Sequence, residues 1–205
     1  MARHDLMSSS IEAWLESLAS DAPTPGGGAA AGVVAAHGVA LLQMVCAFTP
    51  ALSDLHEQLS TERARMLALG QADMDAFGAV SAAYGLPKHD EASKRARADA
   101  IQAGLRGAMQ APLDTIDAIF EAMRPAEQVV EAANPNVASD AGIGLVMLRA
   151  AADAAFYNVR INARFARDKQ WAAECLQRAT DALAQIDADV ERLRGQLEPH
   201  IAPRS

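Results

Sequence analysis

The chain has 205 residues, 51% of them hydrophobic and only 4% aromatic. Its 26 acidic and 18 basic side chains leave a formal charge of −8, which argues against a nucleic-acid partner, because phosphates call for a basic face. Strong helix formers abound, while the runs of Val, Ile, Thr and aromatics that build strands are nearly absent.

In chain order, the opening "MARHDLMSSSIEAW" lacks the apolar stretch of a secretory signal, so a cytoplasmic location is expected. "SSIE" fits a capping box of Ser9 with Glu12. Ile11, Trp14, Leu15 and Leu18 then fall on one helical face, and "SDAPTPGGG" ends that helix. A second helix is expected from Ala29 to Phe48, stopped by Pro50. A third starts at Ser53 or Asp54 and runs to Tyr84, about 45 Å at 1.5 Å per residue. "GLPKHDE" is a turn. The next helix carries a solvated charged face, with Pro112 and Pro125 as kinks or breaks. "NPNVASDAG" is a loop in which Ser139 can cap the following helix, with Asp140 in its first turn. A last helix is expected from Lys169 to Glu198. The sum is one all-α domain over residues 1–205, an up-and-down bundle of long antiparallel helices.

The segment from Ala22 to Ser53 holds no charged side chain. It is long enough to cross a bilayer, yet it is rich in Ala and Gly, contains His37 and Gln43, and has no flanking basic cluster. A buried bundle axis suits it better than a membrane. Gly28, Gly32, Ala36 and Ala40 recur at spacing four, a ridge that suits a close helix pair, for example across a dimer seam, or that merely reflects an Ala-rich chain. The triple glycine lacks the strand and the Lys of a nucleotide-binding loop. What remains is a glycine-rich helix start, whose free N–H groups suit a carboxylate or oxyanion.

Cys46 and Cys175 show no metal-ligand spacing, and the five histidines (4, 37, 56, 89 and 200) are scattered. Two reduced thiols and no metal are expected. His37 reads as a satisfied buried histidine, and Met44, Met74, Met109 and Met147 as packing residues. Phe48, Phe77, Phe156 and Tyr157 are either core or stacking surfaces for a flat ring.

Taken in order, "PTPGGGAAA" (23–31), "MVCAFT" (44–49), "DMDAFGAVSAAYGLPK" (73–88), "NPNVASDAG" (134–142) and "NVRIN" (158–162) resemble the cyclodeaminase/cyclohydrolase family. The resemblance covers nearly the whole chain, and 83–105 is especially similar to the stand-alone bacterial cyclohydrolases. It implies a homodimer acting on one-carbon tetrahydrofolate, with no cofactor beyond that substrate. The expected reaction is hydrolysis of 5,10-methenyltetrahydrofolate to 10-formyltetrahydrofolate. The alternative is cyclodeamination of 5-formiminotetrahydrofolate with release of ammonia. Members of that family carry a Lys-rich segment soon after the stretch matching 44–49. Here "TPALSDLHEQL" follows instead, which opens a further alternative, a non-catalytic folate binder.

The resemblance assigns catalysis to Asp73, Asp140 and Lys88, and substrate binding to Thr24, Pro25, Gly26, Gly27, Asn136, Ser139, Asn158 and Asn162. Asp73, mid-helix, would transfer protons if an apolar setting raises its pKa. Asp140, at a helix start that favours its ionised form, would stabilise the methenyl cation or accept from the pterin. Lys88 would meet the anionic glutamate tail or orient a leaving group. Asn158 and Asn162 share one helix face.

Overall fold

The computed structural model describes residues 8–202. The ends of the expected 1–205 domain, His4 among them, lie outside the described residues. Six α-helices account for most of the described chain, and no strand occurs among the described residues. They are α1 (Ile11–Leu18), α2 (Gly27–Ala47), α3 (Ser53–Tyr84), α4 (Glu91–Ala132), α5 (Ala138–Phe165) and α6 (Lys169–Ile201). Short 3-10 turns at Pro50–Leu52 and Pro135–Val137 precede α3 and α5.

Local chemistry sets the helix ends, in several places one or two residues from where the sequence patterns put them. Ser10, not Ser9, caps α1, its Oγ accepting from Ala13 N–H at 3.1 Å. Asp90 and Ser93 form a reciprocal capping box at α4. Asp168 caps α6 by accepting from Trp171 N–H. Ser139 does not cap α5; the turn at Pro135–Val137 starts the helix earlier and places Ser139 inside its first turn. Pro112 and Pro125 neither break nor end α4, which continues for 42 residues. Both prolines are buried, so packing on neighbouring helices holds the backbone through the missing hydrogen bonds.

The helices alternate in direction. α2 runs antiparallel to α3 and α5 and makes its largest contacts with these two. α4 covers α3 and α5, and α6 lies parallel to α4 in the groove it forms with α5. One apolar cluster joins α2 to α6, with Val39, Leu42, Ile116, Leu145, Leu148 and Val190 fully buried. The charge-free segment is therefore the bundle axis. α2 is long and apolar enough to cross a membrane, but most of it is covered by protein.

The small-residue ridge on α2 works within the chain. A Cβ on Gly32 would stand 2.7 Å from the Gly70 backbone and 2.8 Å from the Met66 carbonyl. A second crossing went unread in the sequence. Gly38 of α2 and Gly144 of α5 approach so closely that a Cβ on either would meet the other's carbonyl at 2.8 Å. His37 is exposed rather than buried, and its Nδ1–H donates to the Val33 carbonyl at 2.7 Å. Cys46 and Cys175 are free and buried.

Candidate active site

The start of α2, the second half of α3, the first half of α4 and the end of α5 enclose a cavity of about 290 Å³. Pro23, Thr24 and Gly26–Gly28 form one wall, and Asp73, Phe77, Val80 and Tyr84 descend another. Leu105 and Ala108 of α4 face Asn158, Ile161, Asn162 and Phe165 of α5 across it. Among the described residues, Asp73 and Tyr84 are the only titratable side chains in this lining.

Asp73 sits against the first turn of α2. A Cβ on Gly28 would overlap its carboxylate, 2.1 Å from Oδ1 and 2.4 Å from Oδ2, so only glycine leaves it room. Gly26 occupies the N-cap position in an extended conformation and supplies no side-chain cap. Asp73 accepts from the Ala29 N–H instead, so a carboxylate from α3 satisfies one of the orphan donors of α2. The free N–H groups expected from the triple glycine are thus partly taken by the protein's own aspartate. Burial pushes the Asp73 pKa above its usual 3.8, and the Ala29 hydrogen bond offsets this only in part.

The two asparagines are fixed by backbone carbonyls. Asn158 Nδ2 donates to Ala154 O at 3.1 Å, and Asn162 Nδ2 donates to Ala108 O at 2.7 Å. A carbonyl can only accept, so each amide is oriented unambiguously with its nitrogen toward the protein. Each Oδ1 is left as the acceptor its side chain can offer. The lining thus holds one carboxylate and two amides, each amide with an Oδ1 acceptor and one further N–H to offer. Such a set suits a cationic carbon and ring N–H donors.

Of the residues singled out in the sequence, Thr24, Gly26, Gly27, Asp73, Asn158 and Asn162 come together here. Pro25, joined to Thr24 by a cis peptide, is buried and does not line the cavity. Lys88 is exposed in the turn beyond Tyr84. Asn136, Ser139 and Asp140 lie at the other end of α5. Its helical rise places Asp140 about 27 Å from Asn158, so within one chain the two carboxylates do not share a substrate. Ser139 instead borders a larger, mostly apolar groove between α5 and α6, with Ile143, Val146, Leu197 and Ile201. Among the aromatic candidates, Phe77 lines the cavity, while Phe48 and Tyr157 are exposed elsewhere.

Gly28, Tyr84, Leu105, Ala108 and Phe165 escaped the sequence reading as site residues. Gly28 could have been found, since it follows Gly26 and Gly27 and leads the small-residue ridge. Leu105 and Ala108, one turn apart, look like ordinary core positions until α5 is placed across from them.

Residues 10–181 match the formiminotransferase-cyclodeaminase family. The methenyltetrahydrofolate cyclohydrolase of Methylorubrum extorquens is 40% identical over 193 residues, covering 89% of this chain and 93% of its own. The rat formimidoyltransferase-cyclodeaminase is 27% identical over 203 residues, 94% of this chain but 38% of the longer rat protein. The crystal structure of formiminotetrahydrofolate cyclodeaminase from Thermotoga maritima superposes with a TM-score of 0.84 at 28% identity, covering 95% of this chain and 98% of that one.

Proposed function

The chain belongs to the formiminotransferase-cyclodeaminase family, and from that premise we propose that it hydrolyses 5,10-methenyltetrahydrofolate to 10-formyltetrahydrofolate. The observation that carries the reading is Asp73, a carboxylate held against the first turn of α2, raised in pKa by burial, in a cavity with no cationic side chain in its lining among the described residues.

The methenyl carbon bridges N5 and N10 and shares a positive charge with both. Asp73 takes a proton from water as the oxygen bonds to that carbon, giving a neutral tetrahedral carbinolamine. The carbon–N5 bond then breaks. N5 receives the proton from Asp73, the hydroxyl proton leaves to solvent, and the carbonyl of the N10 formyl group forms. The balance is one water consumed and one proton released. No oxidation state changes, so the reaction calls for no redox partner. Asn158 and Asn162 receive N–H donors of the reduced pterin, and Phe77 packs against a ring face. Thr24, Gly26 and Gly27 form the wall beside it. The site matches the substrate in sign, an anionic base facing a cation.

The same carboxylate could serve cyclodeamination, giving its proton to the departing ammonia. Identity of 40% to a cyclohydrolase against 27–28% to cyclodeaminases favours water as the second reactant. The deciding experiment follows the methenyl absorbance with each substrate. Loss of absorbance from the methenyl compound well above the buffer rate is expected. A gain from 5-formiminotetrahydrofolate alone would assign the deaminase, and calorimetric binding without turnover would leave a folate-binding module.

In this reading the outer end of the cavity receives the p-aminobenzoyl glutamate. Lys88 lies in the turn after Tyr84, and Arg97 donates twice to the Tyr84 carbonyl. These cations stand at the end where an anionic tail would emerge, in place of a Lys-rich segment after Thr49. Lys88→Ala should raise KM about two- to tenfold with kcat unchanged, as expected for loss of one screened charge contact; an unchanged KM would remove Lys88 from the site.

The proposal extends to a homodimer. Met44 of α2, Phe48 just after it, and Ile143, Val146 and Tyr157 of α5 expose apolar surface, and α1 adds Ile11 and Leu15. Burying such surface against a second copy is favourable. It is also the way for Asp140, Asn136 and Ser139 to meet a pocket, that of the partner. Light scattering should give twice the chain's 21.6 kDa, and a monomer at micromolar concentration would exclude both ideas.

A further inference from the structure

Pro112 stands inside α4, buried, with Ala108 one turn before it. In an uninterrupted helix the N–H of residue 112 would donate to the carbonyl of residue 108. Proline has no N–H, and its ring presses on that same carbonyl. The Ala108 carbonyl is consequently released from the helix ladder at a position that lines the cavity. A buried carbonyl without a donor is costly. The donor it receives is Asn162 Nδ2, at 2.7 Å, from α5 across the cavity wall. Pro125, the other proline inside α4, frees the carbonyl of exposed Glu121, which water can reach.

We propose that Pro112 is a positioning residue for the folate site: by withholding its N–H it leaves the Ala108 carbonyl to Asn162, and so fixes the orientation of the Asn162 amide in the site. The inference rests on the folate reading above for its effect on activity, but the coupling between Pro112 and Asn162 stands apart from it. With one N–H of Nδ2 tied to α4, the Asn162 amide is held in one orientation, with Oδ1 as its acceptor. An N–H at position 112 would share the Ala108 carbonyl and draw it back into the helix ladder, so the amide is less firmly held. It can then turn and present its NH2, which faces an N–H donor of the ring unfavourably. Pro112 touches no substrate; it acts through Ala108 and Asn162.

The test pairs Pro112→Ala and Pro112→Val with Asn162→Ala, on the full chain. Both replacements at 112 restore an N–H but differ in volume, so a packing defect would separate them and the proposed effect would not. The expected result is a rise in KM for 5,10-methenyltetrahydrofolate of about three- to tenfold in both, the range of one hydrogen bond. The kcat should change much less. Each combined variant should be no worse than Asn162→Ala alone, because the two changes break one interaction. The independent readout is the Asn162 side-chain amide in nitrogen-edited NMR. One proton should be shifted and protected from exchange in the parent chain, and lose that protection in both position-112 variants. Unchanged amide protection, or effects on KM that multiply in the combined variants, would overturn the proposal. Loss of the amide signature in a chain that neither binds nor turns over folate would keep the coupling and refute the folate reading instead. If Pro112→Ala unfolds, Pro112→Val and the amide signal carry the test.

Discussion

Asp73→Asn should lower methenyl hydrolysis by about 10²–10⁴-fold, the range for loss of a positioned general base, and should leave the chain folded. Asparagine keeps an oxygen that can accept from the Ala29 N–H, so the first turn of α2 retains its partner. It cannot take a proton from water. The pH behaviour separates this from a general disturbance. Burial raises the folded-state pKa of Asp73 above 3.8. Between 3.8 and the raised value the folded chain therefore binds more protons than the unfolded one. Stability falls as pH climbs through that window, and above it the cost of the buried charge is fully present. Asp73→Asn removes that cost, so the variant should melt no lower than the parent at neutral pH and lose the parent's dependence in the window. In the active chain kcat/KM should rise with pH on an acidic limb above the ordinary carboxylate range. The limb for kcat should sit lower, because the bound cation favours ionised Asp73. Full activity in Asp73→Asn would exclude the carboxylate as base.

The second large effect is expected at Gly28. A methyl group there would lie within 2.4 Å of three carboxyl atoms of Asp73. Either the carboxylate swings away, losing Ala29, or α2 and α3 move apart. Gly28→Ala should therefore cost about 1–3 kcal/mol of stability as an overpacked contact. It should also reduce turnover by about 10²-fold, as a displacement of about 1 Å at a reacting group can. Thermal unfolding and the absorbance assay measure the two losses. Combining Gly28→Ala with Asp73→Ala should restore stability without restoring activity, since removing the carboxylate makes room for the methyl. Gly78→Ala is the control, because a Cβ there meets nothing within 4 Å and alanine suits a helix better than glycine by about 0.5–1 kcal/mol. A Gly28→Ala protein as stable and active as the parent would contradict the close approach of α2 to α3.

The all-α architecture and the helix order could be read from composition and period, because each long helix carries its own apolar stripe or, for α2, none of the charges a surface would require. The helix starts were harder to read. Ser10 won over Ser9 and the turn at Pro135 over Ser139, because several side chains in each stretch can accept from a helix N–H and only the packed chain selects one. Pro112 and Pro125 read as kinks or breaks, and the break is excluded only by the neighbouring helices that hold α4 together, which local rules cannot see. In the candidate site, Asp73, the glycines and the two asparagines were visible as motifs. Their meeting was not, since it depends on α2, α3 and α5 crossing at glycines far apart in the chain. The distance along α5 that separates Asp140 from the pocket is equally invisible in a motif, yet it follows from simple helix rise once that helix is known to be unbroken.

The vacant cap at Gly26 has a consequence for how the protein reaches its native state. Most helices can close their first turn alone, with a serine or aspartate next door. α2 borrows its acceptor from a helix that must first fold back alongside it, so neither half of the pocket can mature ahead of the other. An intermediate with α2 formed but α3 undocked would have an open first turn and no assembled base. Assembly of the proposed site is thereby tied to the docking of α3 on α2, a contact between residues far apart in the chain.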